Sequence, residues 1–196
     1  MQSGGLLEAG LLDLNAGGGV NIDTAIGRLQ VVSGGELRVD ESDALSVLSA
    51  DYAGGLARIN AGGLLRVESL NALSEDSANE VELTTGEALD AGAIDLGSQG
   101  TVTLDASEEI TQITGTRIRA DALDLVSGGD ATLRTDVSEL IGDIGGDFTL
   151  EELDGVILGD VEVLSGSADV TAGGTIAADR VVLGTDASSN ELSLDA

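Results

Sequence analysis

Gly34-Gly35-Glu36-Leu37-Arg38-Val39-Asp40 is a glycine corner followed by a short run in which apolar and polar residues alternate. The pattern returns at Gly62-Gly63-Leu64-Leu65-Arg66-Val67-Glu68 and at Gly128-Gly129-Asp130-Ala131-Thr132-Leu133-Arg134-Thr135. Looser copies are Gly100-Thr101-Val102-Thr103-Leu104-Asp105 and Gly173-Gly174-Thr175-Ile176-Ala177-Ala178-Asp179. In an extended chain Leu37 and Val39 point one way and Arg38 the other; Arg58, Arg66 and Arg134 sit in the same setting. A helix would give these triplets no consistent apolar stripe. One such unit cannot bury its apolar side alone, so a stack of many is implied.

Outward from these copies, period-two runs of three to six residues, bounded by Gly, Ser, Asn or Asp, extend from Leu11 to Leu194. Val156 to Leu158 and Val161 to Leu164 read as two strands, and no strand is assigned between Thr135 and Asp147. The best helical stretch, Leu70 to Glu80, carries Ser74, Ser77 and Asn79 and has no convincing cap. The steps from Gly17 to Gly34 and from Gly128 to Gly145 are equal, and the step from Gly34 to Gly54 is slightly longer. With strands this short, three per turn make a coil of about 20 residues. At a strand separation of about 4.8 Å, about ten coils form a rod of about 45–50 Å. An antiparallel sandwich would call for two-residue hairpin turns; Asp154-Gly155 is the one candidate. A left-handed hexapeptide helix would show a six-residue beat, which is absent. The expected fold is all-β, a right-handed parallel β-helix (solenoid) running as a single segment over residues 1–196.

Composition fits a thin aliphatic core. Phe148 and Tyr52 are the only aromatics, and Pro is absent, as expected where nearly every segment joins a hydrogen-bonded ladder. Corner Gly and Ala are expected to allow tight bends and positive φ. The net charge of −28 comes from 36 acids against 8 bases, all of them Arg. Nucleic acid and anionic membrane are therefore excluded as expected partners, since both require a basic surface. The absence of Cys rules out disulfides and thiolate metal sites. No secretory signal or spanning helix is visible, and Met1-Gln2-Ser3-Gly4-Gly5 already belongs to the repeat pattern. The chain is expected to be an excised segment, or one whose export signal lies outside it. Its end coils are expected to be open edges, covered by neighbouring segments of the same parent chain or by other copies stacked end to end.

Thr116-Arg117-Ile118-Arg119-Ala120-Asp121-Ala122-Leu123-Asp124-Leu125-Val126-Ser127-Gly128-Gly129-Asp130-Ala131-Thr132-Leu133 resembles the β-helical shaft repeats of filamentous haemagglutinin-like exoproteins, the large adhesins exported by two-partner secretion. So does Val170-Thr171-Ala172-Gly173-Gly174-Thr175-Ile176-Ala177-Ala178-Asp179-Arg180-Val181-Val182-Leu183. In that family a Gly-Gly-x-Ile/Leu corner followed by Ala-x-x-Leu-x-Leu recurs along a right-handed rod. The likeness extends loosely over the whole chain and implies a secreted or bacterial cell-surface shaft that projects a binding tip. The family's amino-terminal secretion domain, with its Asn-Pro motifs, has no counterpart here. No functional residue carries over, because shaft repeats hold none.

Without His, Cys or Lys the usual nucleophile–base pairs cannot form. The carboxylate pairs Glu108-Glu109 and Glu151-Glu152 could serve as acid and base, but strand neighbours point to opposite faces and no aromatic is at hand to stack a sugar. The expectation is therefore not an enzyme, with no catalytic residue and no cofactor assigned. Calcium is the one cation worth naming, with Asp40, Glu41, Asp43, Glu151, Glu152 and Asp154 as candidate hard-oxygen ligands; Glu75-Asp76 is a further acidic pair. Neither the calcium-binding nonapeptide of β-rolls nor an EF-hand loop is present. Ice binding would need Thr-x-Thr rows, and only Thr101-Val102-Thr103 fits. The expected function is a structural rod segment of an extracellular adhesin or filament, mediating adhesion to a host-cell or glycan receptor, or self-assembly. The alternatives are a polysaccharide-binding or -cleaving β-helix and a calcium-dependent surface matrix protein.

Overall fold

The computed structural model describes residues 6–184 and 190–196; residues 1–5, read above as part of the repeat, lie outside the described residues. The chain is an all-β parallel β-solenoid of about nine coils of about 20 residues, with no helix among the described residues. Ten strands form a front sheet: β1 (Leu7–Ala9), β3 (Val20–Ile26), β5 (Leu37–Glu41), β7 (Leu56–Ala61), β9 (Glu80–Thr85), β11 (Thr101–Ala106), β14 (Ala122–Ser127), β16 (Glu139–Ile144), β18 (Val156–Val163) and β20 (Ile176–Leu183). The back sheet comprises β2 (Leu12–Ala16), β4 (Arg28–Ser33), β6 (Leu45–Tyr52), β8 (Leu65–Ala72), β10 (Leu89–Asp95), β12 (Ile110–Gln112), β15 (Ala131–Asp136), β17 (Phe148–Glu152), β19 (Ala168–Ala172) and β21 (Leu192–Asp195). Short β13 (Ile118–Arg119) bridges β10 and β15 in the same sheet. Among the described residues the end strands β1, β2, β20 and β21 pair along one edge only.

Each coil is thus two strands and two corners, where the sequence suggested three strands and about ten coils. The difference lies in how the chain bends. β6, β8, β18 and β20 each run for eight residues and bend by a bulge instead of breaking. The register shifts between Leu29 and Gln30 where β4 meets β6, and between Leu140 and Gly142 where β16 meets β18. A bulge is inherited by the next coil, because a stacked strand keeps its ladder only with the same residue count. Ala50 accordingly pairs Leu70, and Leu70 pairs Ile94. Coils also differ in length: the step from Val20 to its partner Leu37 is shorter than the step from Leu56 to its partner Glu80. The longer coil holds the helical candidate Leu70 to Glu80, whose ends belong to β8 and β9 and whose middle, 73–79, is a loop that ends at the buried Asn79.

β16 was not expected. Its inward positions are Leu140, Gly142 and Ile144, and the glycine breaks the aliphatic beat that reveals the other strands. A Cβ on Gly142 would lie 2.8 Å from the Leu125 carbonyl oxygen, so the bare position is a packing requirement.

Inward residues stack in columns along the rod. Val81, Val102, Leu123, Leu140 and Leu158 form one, and Leu45, Leu65, Leu89 and Ile110 another. Each is buried, so side chains meet their equivalents above and below at strand spacing. Both aromatics obey the same geometry. Phe148 stacks between Ala131 and Ala168, and Tyr52 between Ser33 and Ala72. A ring takes up room that its column neighbours must give back, which explains why aromatics are so few.

The glycine corners have a different cause from the one expected. Positive φ among the described residues is confined to Gly54, Gly55, Gly97, Gly100, Gly115 and Gly166, so the Gly34-Gly35, Gly62-Gly63, Gly128-Gly129 and Gly173-Gly174 corners lack it. At these corners one coil settles directly on the next. A Cβ at Gly62, Gly128 or Gly173 would run into the carbonyl oxygen of Ser42, Ser107 or Leu153. Close backbone approach, not a left-handed bend, demands glycine there.

Candidate functional site

The six acidic candidates do not converge. Strand parity separates them, because Asp40 and Glu41, like Glu151 and Glu152, are neighbours on one strand and face opposite sides. Glu41 and Glu152 point inward and are 5% and 3% exposed. Thr24 Oγ1 donates to Glu41 Oε2 at 2.8 Å, and the Ile26 N–H donates to the same oxygen at 2.7 Å. The Asp43 N–H reaches Oε1 at 3.2 Å. Glu152 repeats these three contacts, from Thr135 Oγ1 at 2.6 Å, the Val137 N–H at 3.2 Å and the Asp154 N–H at 3.3 Å, and adds a fourth from the Leu153 N–H at 2.8 Å. Each clamp joins a Thr-x-Ile/Val on one coil to a Glu-x-Asp at the same sequence interval on the next. The first clamp sits at the end of front strand β5 and the second at the end of back strand β17. One local solution therefore serves both sheets.

Of the buried polar residues, Ser33, Glu41, Thr85, Ser127 and Glu152 end their strands beside a corner, Thr135 and Thr24 sit one and two residues before a strand end, and Asn79 lies in a loop. Ser33 Oγ lies 3.0–3.2 Å from the carbonyls of Gly18, Gly35 and Glu36, and Ser127 Oγ 2.9–3.1 Å from those of Glu108, Gly129 and Asp130. Turning backbone exposes N–H and C=O groups that no strand neighbour can satisfy, and these side chains take them up. No buried side-chain polar atom among the described residues lacks a partner. Glu41 and Glu152 are thus corner supports whose oxygens are already occupied.

The outward acids pair with the sheet face. Asp40 accepts from Arg38 Nε at 2.9 Å and from Asn60 Nδ2 at 2.6 Å. Partial burial would raise its pKa, but the Arg38 and Asn60 hydrogen bonds and the Arg38 and Arg58 charges outweigh that and hold it below the ordinary value. Glu151 accepts from Arg134 Nε at 2.9 Å. Asp43 and Asp154 are exposed at corners, as are Glu108 and Glu109. No group of three or more acids among the described residues is placed to hold a metal ion. Like Arg134, four further arginines cross between coils: Arg58 to Glu82, Arg66 to Asp90, Arg119 to Asp95 and Asp136, and Arg180 to Asp160.

The sequence reads Ile110 to Ile113 and Thr116 to Arg119 as separate strands, and the back sheet is interrupted there; what sequence reasoning missed is how the gap is filled. Between β12 and β13 the ladder lapses after the Ile113 N–H donates to the Ala91 carbonyl and resumes where the Arg117 carbonyl accepts the Ile94 N–H, and Gln112 spans the gap with its side-chain amide. Its Nε2 donates to the Gly92 carbonyl at 2.9 Å, and its Oε1 accepts the Arg134 N–H at 3.1 Å, as a backbone peptide would. An open polar cleft of about 370 Å³ lies beside this loop, lined by Arg66, Asp90, Thr111, Gln112, Ile113 and Thr114. Thr111 Oγ1 donates to Asp90 Oδ1 at 2.6 Å, so the cleft's carboxylate is held by both its neighbours.

On the front sheet Asp124 is the exception among the acids. Partial burial, then the Asp143 and Asp105 charges, raise its pKa, and no arginine offsets them. The fold and these surfaces define a parallel β-solenoid with an aliphatic interior and an acidic, arginine-laced exterior. No family model, curated protein or solved structure matches the chain.

Proposed function

We propose that the chain is a structural rod segment of a secreted or cell-surface bacterial adhesin or extracellular filament. On this reading it is a right-handed shaft of the filamentous haemagglutinin-like type that works through length, stiffness and surface presentation. The observation that carries the reading is the unbroken parallel pairing of ten front strands over a continuous aliphatic core. Nine inter-strand steps of about 4.8 Å place the first and last front strands about 43 Å apart. Such a body resists bending because every interior strand is bonded on both edges. Its partners are neighbouring segments of the same parent chain, or copies stacked end to end, with a host-cell or glycan receptor contacting its flanks.

The test is small-angle scattering and electron microscopy of the purified chain, together with turnover assays on acidic and neutral glycans. An elongated particle of constant cross-section that cleaves no glycan is expected. Turnover abolished by a single carboxylate substitution would overturn the reading in favour of a polysaccharide-cleaving β-helix. A chelator should leave the Tm unchanged, because Glu41 and Glu152 find their donors within the protein. A fall in Tm would favour the calcium-dependent matrix protein.

A further inference from the structure

We propose that the front sheet over β14, β16 and β18 docks an extended cationic segment of a partner protein, one in which basic and aliphatic side chains alternate. Three exposed β-branched residues fall together here: Val126 at 40%, Ile141 at 39% and Ile157 at 43%. Elsewhere among the described residues, apart from the end strands, Val32 is the one large aliphatic of a strand this exposed. Carboxylates alternate with the three in a checkerboard. Asp124 pairs across from Ile141, Val126 from Asp143, and Glu139 from Ile157. Two shallow clefts, of about 190 and 170 Å³, flank Ile141, and Asp124 lines both. Gly159 keeps the surface open, since a Cβ there would lie 2.9 Å from Ile141 Cγ2 and 3.0 Å from Glu139 Oε1. Grouped exposed aliphatics with a polar rim mark interaction surfaces on otherwise polar proteins.

Charge selects the occupant. Along β16 the outward order is Glu139, Ile141, Asp143, acid–aliphatic–acid over about 13 Å. An extended segment with bases four residues apart and an aliphatic between them matches that spacing. Asp105 and Asp160 add to the field, and Arg180, whose charge also reaches Asp143, is engaged with Asp160 and Glu162. The raised pKa of Asp124 comes first from partial burial and then from the Asp143 and Asp105 charges, and a cation placed beside it would oppose both. A second copy of this chain does not fit, because no two of its arginines are four residues apart. The inference is independent of the adhesin reading and concerns this face alone.

Fluorescence anisotropy of the intact protein with the labelled peptide Thr-Lys-Thr-Val-Thr-Lys-Thr at low ionic strength tests it. Ile141→Ser should weaken binding about tenfold through lost apolar contact. The pair Asp124→Asn and Asp143→Asn should weaken it about as much. Removing two acids elsewhere, Asp13→Asn with Asp169→Asn, should change it less than about twofold. Absence of binding, equal loss in that control, or unchanged affinity in Ile141→Ser would overturn the proposal; the last two outcomes would reveal general polyanion attraction instead.

Discussion

Inside, the two halves of the rod are built alike; outside, they differ. Each half has one carboxylate clamp, Thr24–Glu41 or Thr135–Glu152, and one aromatic stacked between small residues, Tyr52 or Phe148. On the front face, by contrast, Arg38 and Arg58 sit among Asp40 and Glu82 in the first half, whereas Asp105, Asp124 and Asp143 of the second half have no arginine between them. Stacking at strand spacing dictates the interior, so the same answers recur. The exterior answers only to water and to whatever binds there.

If the clamps are equivalent, Glu41→Ala and Glu152→Ala should cost the same, about 2–4 kcal/mol each, because a buried hydroxyl and several N–H groups lose their acceptor. Hydrogen exchange at the Ile26 and Val137 amides should accelerate first, and a large inequality between the variants would break the symmetry. Next in size is crowding beside the rings. Ala131→Leu next to Phe148 and Ala72→Leu next to Tyr52 should each destabilise by about 1–3 kcal/mol in urea unfolding. Ala72 is the less buried of the two, so its variant should fall at the lower end.

The smallest effects are on the surface, where the halves should respond with opposite sign. Asp40 has a lowered pKa, so its stabilisation is present above the ordinary aspartate value of 3.8 and is lost as pH falls through its folded value. Asp124 has a raised pKa, so its ionised form is a penalty above that folded value, relieved as pH falls through it toward 3.8. Asp40→Asn should therefore lower the Tm at neutral pH and Asp124→Asn should raise it, and both differences should shrink on acidification. The same sign in both variants would show that the two faces are electrostatically equivalent after all.

Much of this is legible in the amino-acid sequence. Alternation in Leu37-Arg38-Val39 placed the arginines outside, and the lack of hairpin turns pointed to parallel coils. Parity also held a signal that went unused: Leu37 and Val39 point inward, so Glu41 must as well, and Phe148 and Leu150 say the same of Glu152. Reading these acids as ligands overlooked that count. Gln112 was not legible, because its role depends on Gly92 and Arg134 in the two neighbouring coils.

The sequence by itself determined that this chain is a stack of short extended units with an aliphatic interior and an acidic surface, since period-two alternation and charge balance are local properties of the chain. Only the tertiary structure decided that each coil has two sheets, why its corners need glycine, and which acids are buried, stacked or left facing one another. Those outcomes depend on registers that span a whole coil and vary from one coil to the next, bringing together side chains and carbonyls that no local pattern relates.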